Sequence, residues 1–237
     1  MNIFFLKISC ITLFCWSAIC LAQSYSFDYE ITSMREQIKS PTDRSWFFGD
    51  SVPAKRYINS KVPGISLSIY KVYGKEGHEA LLYDDNRKIL HNFEVKQGRN
   101  DKHPDLHYLR SNRFKYPKKV GAFDGKVHVR KIKHNVYEII AEVTDNKYKL
   151  YLNIEESDDD LTHDLLSFDG ASNLTKKMIS SLKVNLDPEK NYFFKEYVKQ
   201  YVPGSTFHVV NEAVKTEFTV TLPDTKRTRK LMSKFKD

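Results

Sequence analysis

Cysteine is missing from the chain beyond position 20: Cys10, Cys15 and Cys20 are the only three. A chain that sheds its first 22 residues therefore has no disulfide framework, no thiolate nucleophile and no cysteine-based metal site. Glycine is scarce, nine residues in 237, and neither a P-loop nor a Gly-x-Gly-x-x-Gly run occurs, which removes the phosphate-cradling loops of nucleotide chemistry. No Gly-x-Ser-x-Gly elbow marks a serine nucleophile, and Gly204-Ser205-Thr206 reads as a turn. No His-Glu-x-x-His is present. Internal repeats and low-complexity linkers are also lacking. These absences point away from an enzyme with a sequence-marked site and lead us to expect no cofactor. A dispersed triad or carboxylate pair would leave no such mark.

The N-terminus has the layout of an export signal. Lys7 is the only charge before Asp28, an apolar run follows from Ile8 to Leu21, and Cys20-Leu21-Ala22 supplies a small residue at a cleavage point. The run is short for a membrane span, which needs about 20 apolar residues. We expect residues 1–22 to be a signal peptide, Gln23 to begin the mature protein, and the destination to be periplasmic or secreted. The formal charge is +8, and removing Lys7 lowers it by one to +7. That balance favours anionic partners: an anionic ligand, a lipid headgroup with peripheral membrane contact, or an acidic protein surface. Export argues against nucleic acid. Nothing in the sequence sets the oligomeric state.

Strand-like alternation dominates residues 23–156. Tyr25, Phe27, Tyr29 and Ile31 are two apart and share a face, as do Ile65, Leu67 and Ile69. Ala80–Tyr83, the turn Asp84-Asp85-Asn86 and Ile89–Val95 form a hairpin signal. Val127–Ile132, Val136–Val143 and Tyr148–Ile154 read as a three-strand meander, with Tyr148, Leu150, Leu152 and Ile154 on the buried side of the last strand. Beyond the acidic run Glu155–Asp160 the period becomes helical at Leu174, Met178, Ile179 and Leu182. Asp187-Pro188-Glu189 then opens a second expected helix carrying Tyr192, Phe193, Tyr197, Val198 and Tyr201. A hairpin of 206–210 and 216–222 follows, and then a basic tail, 226–236. The expected fold class is α+β in a single domain, 23–237. A curved, half-barrel-like antiparallel sheet is built from most of residues 25–156, and the two later helices cover one face.

The densest charge asymmetry lies between positions 110 and 133. Arg110, Arg113, Lys115, Lys118, Lys119, Lys126, Arg130, Lys131 and Lys133 are opposed only by Asp124, with Tyr108, Phe114, Tyr116 and Phe123 interleaved. Of these, Arg110, Arg113, Lys115, Lys118, Lys119, Arg130, Lys131 and Lys133 are the expected anion- or partner-binding residues. His103-Pro104-Asp105-Leu106-His107 is the one tight cluster of histidine and carboxylate, but it has no third ligand at a metal-site spacing and reads as a polar loop. Glu155–Asp160 with Asp164 lacks the order of an EF-hand and reads as a flexible acidic turn. Asn173-Leu174-Thr175 fits a glycosylation acceptor.

Ala22-Gln23 with Tyr25–Glu30, then Arg56–Ser60 running into Ile65–Tyr70, then Leu82-Tyr83-Asp84 and His91-Asn92-Phe93, resemble exported envelope proteins of Gram-negative bacteria, the GLPGLI-type and related families. The GLPGLI motif itself is absent. The resemblance implies an envelope location and a β-rich fold and adds nothing about catalysis. The function it is compatible with is an exported binding protein without catalytic activity, holding an apolar or anionic ligand or partner. The alternatives are an inhibitor or immunity factor against an exported toxin, and a secreted hydrolase or nuclease. If the basic segment is the binding surface, reversing Lys118, Lys119, Arg130 and Lys131 to Glu should abolish partner binding and leave the melting temperature nearly unchanged.

Overall fold

Side chains leave a strand on alternating faces, and that alternation of burial recurs far along the chain. In the computed structural model, which describes residues 23–39, 54–71, 77–96, 103–113, 125–143, 146–162, 172–202 and 204–224, eleven strands and one helix are present among the described residues. The strands are β1 (Ser24–Lys39), β2 (Ala54–Ile58), β3 (Ile65–Lys71), β4 (His78–Asp84), β5 (Ile89–Lys96), β6 (Asp105–Arg113), β7 (Lys126–Lys133), β8 (Val136–Val143), β9 (Asn146–Ser157), β10 (Asn191–Val202) and β11 (Thr206–Thr221). The helix, α1, is Ser172–Lys183. All strands belong to one sheet in the order β6-β5-β4-β3-β2-β1-β11-β10-β9-β8-β7.

Contacts divide the chain into a large unit, Ser26–Phe218, and a small one formed by the segments before and after it. In the small unit the Leu222 amide donates to the Gln23 carbonyl at 2.8 Å, and Tyr25, Val220 and Leu222 are buried.

The large unit buries opposite faces of its sheet in its two halves. Cross-strand partners share a face, and the register runs Tyr57–Leu67–Leu82–His91–Ser111 across β2 to β6. Every one of these five is buried. On the other side of the sheet the register runs Tyr137–Leu152–Tyr197–Val209 across β8, β9, β10 and β11, again all buried. Leu174, Met178, Ile179 and Leu182 of α1 join that second core, as do Tyr29, Ile31 and Ile58. The buried face changes at β2, where Tyr57 and Ile58 are adjacent and both buried.

The first half is strongly rolled. His103 lies two residues before β6, which is six steps from β11 in the sheet order. Six steps in a flat sheet span about 29 Å at about 4.8 Å each. The His103 ring nevertheless stacks on Phe218 of β11 at 5.0 Å, with Tyr57 edge-on at 6.4 Å.

The expected α+β class with two covering helices is not what the chain adopts: the fold is almost entirely antiparallel sheet, and the sheet continues to residue 221. The segment expected as a second helix is β10. Asp187-Pro188 opens a turn there, with Lys190 N donating to Asp187 O at 3.2 Å and Glu189 N to Asp187 Oδ1 at 3.0 Å. Asp followed by Pro is a turn signature as readily as a helix start. The misleading spacing comes from a bulge: the β9–β10 register shifts between Phe194 and Glu196, so Tyr192 and Phe194 share a face with Tyr197 and Lys199 rather than with Glu196 and Val198. The expected hairpin of 206–210 and 216–222 is one continuous strand, β11. Asn211, which falls between the two expected arms, is buried and bridges strands. Its Oδ1 accepts from Ser33 Oγ at 2.7 Å and its Nδ2 donates to Phe194 O at 2.7 Å.

The expected strands over 25–31 and 65–69, the 80–95 hairpin, the 127–154 meander and the helix over 174–182 are all present. The basic tail 226–236 lies outside the described residues. Because Leu152 sits centrally in the second core with no exposure, Leu152→Ala should cost about 2–5 kcal/mol in urea unfolding. Leu109 is an exposed aliphatic on β6, so its truncation should cost less than about 0.5 kcal/mol.

Candidate functional site

Four places bring functional groups together. The first is inside the core of the rolled half. His91 Nδ1 and Ser111 Oγ are 2.6 Å apart, and Tyr108 Oη is 2.7 Å from the same Ser111 oxygen. A hydroxyl against an imidazole is the pairing of a nucleophilic site. Here Ser111 and His91 are buried, and burial pushes the His91 imidazolium down to about 4, only partly opposed by Asp84. Such an imidazole is a weak proton acceptor at neutral pH. The chain of three satisfies polar groups inside an apolar core. Sequence reasoning missed it because Ser111 belongs to no motif and because cross-strand register, which pairs it with His91, is not written in either segment alone.

The second place is the histidine cluster. His103 is stacked on Phe218, whereas Asp105 and His107 are exposed at the start of β6. Burial alone would raise the Glu30 carboxyl, but hydrogen bonds from Lys55 Nζ at 2.6 Å and Tyr57 Oη at 2.7 Å hold it below its ordinary value. Among the described residues no group of three potential metal ligands forms.

The third place is the acidic run. Its carboxylates form an ordered set of ion pairs rather than a flexible turn. Glu155 pairs with Lys195, Glu156 with Lys190 and Asp158 with Lys215, each at 2.6 Å. Asp159 pairs with Lys61 at 2.6 Å and accepts from Tyr29 Oη at 3.0 Å, and these contacts hold its carboxyl low. Asp160 pairs with Lys183 at 2.5 Å; burial alone would raise its carboxyl, but Lys183 and Thr162 outweigh that. The end of β9 is thus tied to β10, β11, the β2–β3 turn and α1. An open groove of about 660 Å³ lies beside it, with Tyr29, Phe193 and Ala213 among its lining and Glu155, Asp158, Lys195 and Lys215 around them. Asp164 lies outside the described residues.

The fourth place is the basic segment, which the fold divides. Arg110 and Arg113 lie on β6, while Arg130, Lys131 and Lys133 lie on β7, at the opposite edge of the sheet. Lys115, Lys118 and Lys119 lie outside the described residues. All five described members are exposed, as is Lys126. On β7 the cations cluster: Lys126, Arg130, Lys131 and Lys133 are accompanied by exposed His128 and His134. The helix that packs on β7 and β8 adds exposed Lys176 and Lys177. Arg130 differs from its neighbours. Its guanidinium lies 2.7 Å from Glu138, whose side chain is only 9% exposed. Reversing Arg130 would leave two carboxylates together, so the expectation that it can be reversed without loss of stability does not hold for this residue. Lys126, Lys131 and Lys133 form no ion pair among the described residues, and Lys131 Nζ lies 5.9 Å from the Tyr137 ring centre.

The buried imidazole generates a pH signature. Its ordinary value is 6.5 and its folded value about 4. Above 6.5 neither state is protonated and the group has no effect on stability. As the pH falls from 6.5 to 4 the unfolded chain binds a proton that the folded chain does not, so stability declines, by up to about 3 kcal/mol. Urea unfolding of the wild type should show this slope over that window, and His91→Gln should flatten it. An identical slope in the variant would assign the titration to another group.

No family model, curated protein or solved structure matches the chain. The functional reading therefore rests on these four arrangements, and the β7 edge offers Lys131 and Lys133, exposed and without an ion pair among the described residues.

Proposed function

We propose that this is an exported binding protein without catalytic activity, and that its β7 edge, with the adjoining face of α1, holds an anionic ligand or partner. One contrast carries the reading. Lys61, Lys183, Lys190, Lys195 and Lys215 are each spent on a carboxylate of the β9 terminus. Lys131 and Lys133 flank the bulge of an edge strand, are exposed, and form no ion pair among the described residues. Charge held together on a surface without internal partners attracts counter-charge. The anionic reading is favoured over an apolar ligand because the groove is ringed by ion pairs. The inhibitor and hydrolase readings have no comparable support: the one serine–histidine contact described above is sealed in the core. Lysines on an edge also discourage strand-to-strand aggregation, so a test has to separate binding from solubility and from net charge.

Lys131→Glu/Lys133→Glu supplies that test against Lys71→Glu/Lys96→Glu, which makes the same charge change at exposed positions away from β7. With heparin as the anionic probe, the β7 variant should bind at least about tenfold more weakly in low salt, since each lost surface attraction is worth up to about 1 kcal/mol and each is reversed in sign. The control should lose much less. Melting temperatures of both should stay within a few degrees of wild type. Equal loss in the two variants would mean that net charge alone is being read and would remove β7 as a site. Arg130→Glu should instead lower stability by about 1–3 kcal/mol, because Glu138 loses its partner in a nearly buried position.

A further inference from the structure

The tip of the β7–β8 hairpin sets an exposed aliphatic residue among exposed cations. Arg130, Lys131, Ile132, Lys133 and His134 are five consecutive exposed positions. The β7–β8 register shifts between Lys131 and Lys133, so Ile132 is the bulged residue and leaves the ladder. It is 47% exposed. Asn135 then closes the turn at φ 59°, a left-handed conformation that asparagine tolerates. Its carbonyl accepts from the Ile154 amide at 2.9 Å, fixing the base of the tip to β9. Nearby Glu155 and Glu156 are engaged by Lys195 and Lys190, so they do not neutralise the tip.

We infer that this tip docks on an anionic phospholipid surface, with Ile132 entering the interfacial layer and Lys131 and Lys133 meeting the headgroups. The inference rests on the anionic-partner reading of the β7 edge and names the partner. An acidic protein would be met equally well by the cations, but it gives no reason for an aliphatic side chain to be held out of the strand in the middle of them. A lipid interface takes both: the side chain loses water while the charges remain at headgroup level. The helix-borne Lys176 and Lys177 lie on the element packed against β7 and extend the cationic rim. Lys or Arg beside an anionic membrane contributes about 1 kcal/mol each, which is about fivefold in affinity, and that contribution fades with salt.

The test uses the purified full chain and two kinds of vesicle: phosphatidylcholine alone, and phosphatidylcholine with about one-third phosphatidylglycerol, the latter chosen to give the anionic surface. Sedimentation should show binding to the second only. Lys131→Glu/Lys133→Glu should weaken it at least about tenfold, Ile132→Asn should weaken it severalfold without changing heparin affinity, and raising salt should reverse it. In Ile132→Trp, the emission should shift to the blue on anionic vesicles. If heparin binding depends on Lys131 and Lys133 but neither vesicle is bound, the membrane inference fails and the anionic-partner reading survives, with an acidic protein as the partner. If neither heparin nor vesicles respond to these residues, both fail. Binding to both vesicle types that is unchanged in the variants would place membrane affinity in the apolar N-terminal run and would also overturn the inference.

Discussion

The large unit depends on the pairing of its first strand with its last. β1 to β6 form one meander and β7 to β11 another, and only the β1–β11 contact makes them a single sheet. Asn211 is the polar pin of that seam. It is buried on β11, takes a hydrogen bond from Ser33 on β1 and gives one to the Phe194 carbonyl on β10. Arg35 on β1 adds a guanidinium 4.0 Å over the Phe207 ring of β11. A buried amide with both ends engaged fixes register where apolar packing alone would tolerate slippage. The seam carries the second core from β11 onto β1, and the buried side changes one strand further on, at β2.

How much of this was legible in the sequence follows from which interactions are local. Alternation in Tyr148–Ile154 and in Ile65–Ile69 reports the pleat directly, and those strands stand where the alternation lies. The helix over Leu174–Leu182 was legible for the same reason at its own period. The bulge at Lys195 defeated the reading of β10, because one inserted residue turns a period of two into something that passes for helical spacing. β11 was split between Val210 and Thr216, because the partners that hold this stretch in the sheet, Ser33 and Phe194 against Asn211, are far away in sequence. The acidic run looked solvated because its lysines come from the β2–β3 turn, β10, β11 and α1.

The same distinction explains what became of the basic segment. Its composition marked an uneven surface, and exposure of its described members follows from the cost of burying unpaired charge. Composition carried no information on topology, so Arg110 and Arg130 read as one stretch although they sit on opposite edge strands. It also hid the difference between Arg130, which neutralises a nearly buried Glu138, and Lys133, which neutralises nothing described. Charge in this protein has two uses. At the end of β9 it stitches elements together in matched pairs, each weak by itself at the surface. At Lys131 and Lys133 it is left over among the described residues.

The placement of β6 and β7 has a mechanical consequence. They are successive strands joined by a connection of thirteen chain steps from Arg113 to Lys126, yet they are the outermost strands of an eleven-strand sheet. Thirteen fully stretched steps reach about 45 Å. Ten interstrand gaps laid flat would measure about 48 Å. The covalent link, fully stretched, is thus no longer than the flat sheet would be wide. The length of that tether sets a ceiling on the separation of β6 and β7 for as long as it is intact.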